Sequence, residues 1–324
     1  MRTKIAVRPV LAFTALAWAG MWVAMLPLLI SGFQRTSSDI GLGALEQICI
    51  SAAMLTPALA AFIVLRRWER ATPVRTTLGL TWNRRTALDC LLALACPLVL
   101  TLLALGIGTA TGTYHPDLAD FSGFRRQFAP DTTGQQGVPL AALAVWAGSL
   151  LVQMLISLPL FFGEELGWQG YLFPRLRPRG PVFAVLVTGF VFALWHVPTL
   201  LLGGQYPGTS WPVAIGAFLV TCVLVVPIFA WLRTRSASVI PAVVAHTAVS
   251  TAVVQLPWVL ADADHPPHPL TTGLTAWPGW LAMAVLVAVL AIRRRSLQTI
   301  GRRSAAGALA GTAGDFGSTG ATRR

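Results

Sequence analysis

A chain of 324 residues that is 55% hydrophobic and only 11% charged is excluded as a water-soluble globular domain, in which about a quarter of residues carry charge. Its formal charge of +12 suggests nucleic acid, but lysine occurs once, at Lys4, and the arginines stand in short clusters between long apolar runs. Arginines so placed set membrane topology, so no nucleic-acid partner is expected. The partner is the lipid bilayer, and continuous rather than alternating runs select helices.

The apolar runs fall at 9–32, 41–65, 88–110, 142–172, 181–201, 211–232, 237–260 and 276–292. Each is near the ~20 residues that cross hydrocarbon. The predicted fold is therefore all-α, a polytopic membrane bundle of about eight transmembrane helices. The basic stretch Met1–Arg8 precedes the first run as in a signal peptide, but Val10–Ile30 is longer than a signal's apolar stretch, which predicts a retained helix. The second run carries Glu46 near its outer end. After it, Leu78, Leu80 and Trp82 lie among the arginines from Arg66 to Arg85, a pattern that suits a surface-lying segment. The cysteines Cys49, Cys90, Cys96 and Cys222 lie in or beside apolar runs and are expected to be small buried hydrophobes.

With both termini placed in the cytoplasm, 21 of the 24 basic residues fall on the inner side. Only Arg35, Arg125 and Arg126 fall outside, and an odd number of spans would spoil that division. The outer segment from Thr113 to Gly137 is polar and acidic. The segment from Asp262 to Thr272 holds Asp262, Asp264, His265 and His268 without a fixed ligand spacing, and Pro266, Pro267 and Pro269 break it up. It is expected to be a solvated loop. The tail from Arg302 is rich in Gly, Ala, Ser and Thr and is predicted to be disordered.

Ionisable residues at membrane depth are costly and mark function by default. Glu164 and Glu165 lie side by side inside the fourth run. His196 follows Phe192 by four residues, and His246 precedes Ser250 by four, spacings that put each pair on one helix face. Counted from the inner end, Glu164 and His246 lie about 14–15 Å deep and His196 about 22 Å. A carboxylate and an imidazole can share a water and take its proton as it attacks a carbonyl. A second histidine and a hydroxyl can support the oxyanion. The same Glu/His/His set is also one that can hold a divalent metal, although no HExxH is present.

These residues resemble the motifs EExxxR, FxxxH and HxxxN of the CPBP family of CAAX-processing and bacteriocin-processing (Abi) membrane proteases. Here they read Glu164-Glu165-Leu-Gly-Trp-Gln169, Phe192-Ala-Leu-Trp-His196 and His246-Thr-Ala-Val-Ser250. The resemblance covers about residues 140–255. It implies a catalytic core over 140–260, preceded by helices and loops over 1–139. An outer loop and last helix follow over 261–300, then a cytoplasmic tail over 301–324. It implies an intramembrane metalloendopeptidase, with Glu164 as base assisted by His196, and with His246 and Ser250 at the oxyanion. Glu165 and Gln169 would organise the site. Zinc, held by Glu164, His196 and His246, is implied by the resemblance alone. The substrate would be a membrane-associated or lipidated peptide, or a membrane protein. Gln169 replaces the motif arginine and Ser250 the motif asparagine. Gln169 can hydrogen-bond Glu165 at i, i+4 but cannot neutralise it, and Ser250 is shorter than asparagine; both departures point toward weakened activity. A non-catalytic binding protein of immunity type and a proton-coupled transporter are the alternatives. Arginine in excess of lysine, with abundant alanine, suggests a bacterial plasma membrane.

Overall fold

The structure is a computed structural model that describes residues 7–35, 43–70 and 73–293. In chain order the helices are α1 (Val7–Ile30), α2 (Ala44–Trp68), the short α3 (Val74–Thr77), α4 (Arg84–Ala110), α5 (Ser122–Phe128), α6 (Leu140–Glu165), α7 (Phe173–Leu176), α8 (Pro181–Trp195), α9 (Val197–Leu201), α10 (Trp211–Ser236), α11 (Ile240–Ala248) and α12 (Leu256–Leu260). A last apolar helix, α13, runs over Trp277–Arg293. The fold is all-α, as predicted, with no named strand among the described residues and one isolated antiparallel bridge, Pro116 to Ala261.

Helices stand at all eight predicted runs, and six are long and apolar enough to cross a membrane. These are α1, α2, α4, α10, the continuous stretch Leu140–Arg179 built on α6, and Ile240–Leu260 built on α11. The other two, α8 and α13, are shorter. The reason at α8 is local. Pro198 has no N–H to offer the helix, and His196 closes α8 with its amide on the Ala193 carbonyl at 3.1 Å. The break therefore falls on a predicted site residue.

The chain divides into two units, Met1–Met283 and Ala284–Arg324, and the second is described only as far as Arg293. Within the first unit, α1 and α2 belong to the bundle that walls the site. Phe13 of α1 is buried edge-on against Trp168, with ring centroids 5.6 Å apart. Trp18 donates from its indole to the Val191 carbonyl at 3.1 Å.

The loops gather into two ends. At one end Arg175 pairs with Glu69, Arg235 with Asp89 at 2.7 Å, and the Ser238 hydroxyl donates to the Thr81 carbonyl at 2.7 Å. At the other, the Asp117 amide meets the Leu260 carbonyl at 2.9 Å, Arg126 pairs with Asp264 at 3.1 Å, and the Arg35 amide meets the Leu202 carbonyl at 2.8 Å. The outer turn is held by the Asp117 carboxylate, which accepts from the amides of Ala119, Asp120 and Ser122. Burial acts to raise its pKa, but the hydrogen bonds from Ser122, Asp120 and Ala119 prevail and bring it down to about 2. Arg2, Lys4 and the predicted disordered tail lie outside the described residues.

The segment expected on the surface between Arg66 and Arg85 is split in its behaviour. Trp82 is exposed, whereas Leu78 is buried and lies against the turn that follows Glu165. The cysteines are all free, with Cys49 and Cys222 buried and Cys90 and Cys96 half-buried.

Candidate active site

No residue of α6 from Leu140 to Leu160 is buried, but Phe161, Gly163, Glu164 and Glu165 all are. The change follows from the sequence. Leucine, valine and alanine make up most of the outer part of α6, as suits contact with lipid, while Trp146 and Gln153 reach Gln255 on one face. Gly163 and Gly167 then bring the inner part against α2. A Cβ on Gly163 would come within 3.0 Å of the Met54 carbonyl oxygen, and one on Gly167 would overlap the Pro57 ring. Small residues are what permit such an approach between helices in a membrane.

Beyond Glu165 the helix changes winding. Leu166–Leu172 form a π-turn in which the Phe173 amide bonds to the Trp168 carbonyl, five residues back instead of four. A second π-turn, Val249–Val253, follows α11. Such turns recur at functional sites because they re-aim side chains within an otherwise regular helix.

Between these two helices lies the polar centre. His246 Nδ1 is 2.8 Å from Glu165 Oε1, and both side chains are buried. The imidazole sits among the rings of Phe161, Phe229 and Phe192, at 4.7, 5.4 and 5.7 Å between centroids. His196, at the end of α8, has its Nδ1 3.0 Å from the Phe192 carbonyl. A carbonyl only accepts, so Nδ1 bears the hydrogen, and in the neutral ring Nε2 is the acceptor. The Phe192 ring lies 4.7 Å from that of His196 and so touches both histidines. Glu164 is buried within electrostatic range of His246 and Cys222.

Glu164, Glu165, Phe192, His196 and His246 are thus brought together. Gln169 is fully buried in the π-turn, but neither its Oε1 nor its Nε2 has a hydrogen-bond partner. The expected bond to Glu165 is absent, because π winding begins at Leu166, between the two residues, and the regular i, i+4 register does not carry through it. Ser250 is exposed. The buried hydroxyl of that π-turn belongs to Thr251, which donates to the Thr247 carbonyl at 2.7 Å. The helices that carry the centre also hold buried polar atoms that motif reading did not single out. Trp168 Nε1 and Thr188 Oγ1 are buried without a hydrogen-bond partner, as are Glu164 Oε2 and Glu165 Oε2. Buried polar atoms without a protein partner are ordinarily hydrogen-bonded to water. Among the described residues no group of three or more His, Cys, Asp or Glu side chains is arranged to hold a metal ion.

Residues 145–252, which hold every residue of this centre, match the family model described as type II CAAX prenyl endopeptidase Rce1-like. A stretch of 44 residues is 41% identical to CAAX prenyl protease 2 of Methanococcus maripaludis, over 13% of this chain and 16% of that protein. The buried Glu/Glu/His/His centre of this apolar helix bundle thus lies inside the segment that is similar to type II CAAX prenyl endopeptidases.

Proposed function

We propose that the protein is an intramembrane endopeptidase that cleaves membrane-associated or lipidated, CAAX-like peptides with water activated at Glu164. The observation that carries this reading is the buried Glu165–His246 pair, beside a Glu164 whose Oε2 is open, within the segment similar to CAAX prenyl endopeptidases.

The chemistry follows from the donors and acceptors present. A water at Glu164 Oε2 donates one hydrogen to the carboxylate, and the unprotonated Nε2 of His196 accepts the other. The oxygen attacks the scissile carbonyl carbon, and Glu164 takes the proton. One proton lies between His246 Nδ1 and Glu165 Oε1. A second, on Nε2, donates to the developing oxyanion. Glu164 then returns its proton to the departing amide nitrogen as the C–N bond breaks. Carboxylate and imidazole are thereby divided between two jobs, because one histidine is held by a backbone carbonyl and the other by a carboxylate. Ser250 would reach the oxyanion only by rearrangement of its π-turn. Zinc remains what the family resemblance suggests, and the bacterial plasma membrane what the composition suggests.

The test is cleavage of a peptide library, prenylated and unmodified at the C-terminus, by the purified protein in liposomes, read by mass spectrometry. Wild type should cleave, and Glu164→Gln should lose about 10²–10⁴-fold in rate, the usual weight of a general base, with helical content and melting retained. A chelator arm reads the zinc question separately. A well-folded wild type that binds but cleaves nothing would replace this reading with a non-catalytic binding role.

A further inference from the structure

A π-turn leaves backbone groups that ordinary helix pairing does not satisfy, and each needs a partner when buried. In the turn after Glu165 the N–H of Phe173 goes to the Trp168 carbonyl. The next N–H in that series would come from residue 174 and go to the Gln169 carbonyl. Residue 174 is proline and has none. That carbonyl instead receives Nε of Arg233, from α10, at 3.3 Å. Arg233 is held on its other side by the strap between α3 and α4. Gly79 has φ +71°, and a Cβ there would overlap the guanidinium. The strap is pinned in turn. The Val239 amide bonds to the Gly79 carbonyl at 3.0 Å, and the Leu78 carbonyl would be 3.2 Å from a Cβ on Gly170. Two positions without side chains, Gly79 and Gly170, therefore let the strap and the π-turn close on one guanidinium.

We propose that Arg233 is a positioning residue that locks the π-turn by filling the Gln169 carbonyl that Pro174 leaves without a donor, and so fixes the register of Glu164 and Glu165. Its effect on turnover rests on the peptidase reading above, while its effect on the turn does not. The neighbouring ion pairs Arg175–Glu69 and Arg235–Asp89 close the same end of the bundle without reaching the turn's carbonyls. Arg175 lies over the Tyr171 side chain of the turn, whereas the Arg233 side chain donates to the turn's backbone.

The experiment uses the full chain in liposomes as wild type, Arg233→Met, Pro174→Ala and the double variant. Hydrogen–deuterium exchange is followed over residues 166–176, and peptide cleavage alongside. Arg233→Met keeps the length and loses the donor. It should speed exchange in that segment and lower kcat about tenfold to a hundredfold, as a misplaced catalytic group does, with KM little changed. Pro174→Ala in the same background supplies an N–H to the orphaned carbonyl and should restore both readings. Unchanged exchange in Arg233→Met would overturn the proposal, as would failure of the double variant to recover. If Arg233→Met does not fold, Arg233→Lys, with a shorter reach and no planar fork, takes its place with a smaller change in the same directions. Exchange that follows this pattern while no form cleaves peptide would uphold the lock and remove the peptidase reading.

Discussion

At the scale of single residues the centre is an economy of proton positions. Glu165 and His246 hold each other, and the Phe192 carbonyl holds His196. Removing one member of a buried charged or hydrogen-bonded pair leaves the other without compensation, which costs about 3–5 kcal/mol. His246→Gln should therefore lower both melting temperature and cleavage. Adding Glu165→Gln should recover the melting temperature but not the activity. A double variant as unstable as the single one would show that the pair is not what the bundle depends on. The four ionisable members of this centre were legible in the sequence, since carboxylates and imidazoles inside apolar runs cost too much to be kept for packing alone. Gln169 and Ser250 were less so. Both were judged by an i, i+4 rule, and each lies in a π-turn of its own, whose winding is not a period visible in composition.

At the scale of elements, glycine decides where helices touch. Gly163 and Gly167 face α2 at Met54–Pro57, and that contact fixes the depth of the two carboxylates between them. Alanine is favoured over glycine inside a helix by about 1 kcal/mol, yet Gly167→Ala should destabilise, because overpacking a tight contact costs about 1–3 kcal/mol. Gly148→Ala, on the exposed part of the same helix with nothing within 4 Å, should be neutral or stabilising. Thermal melts of both variants check this, and equal melts would mean that α6 adjusts freely against α2. The eight runs were readable from hydropathy because lipid-facing helices must be apolar throughout. The division of α6 into an exposed outer part and a buried inner part was not. Leucine and alanine serve both environments, and only the glycine spacing separates them. The strap from Leu78 to Trp82 shows the same limit. Its apolar residues suit either membrane surface or core, and Gly79 and Gly170 determine that Leu78 goes under the π-turn.

At the scale of the whole molecule, the arginine loops meet at one end and the acidic loops at the other. In a cysteine-free background, a single cysteine at Trp82 should react with an impermeant maleimide only in inside-out vesicles, and one at Asp131 only in right-side-out vesicles. Labelling of both from the same side would refute the two-ended arrangement. A clean exchange of sides would keep the bundle and reverse the positive-inside assignment. The bare stretch of α6 from Leu140 to Leu160 has a further meaning in this setting. Trp146 and Gln153 tie one face of it to Gln255, the rest faces outward, and one turn beyond Leu160 stands Glu164. On the peptidase reading, the lipid facing this stretch would border the site as well as hold the bundle. Bilayer thickness acts on the tilt of membrane helices, so on that reading cleavage measured in thin and thick bilayers should differ in rate.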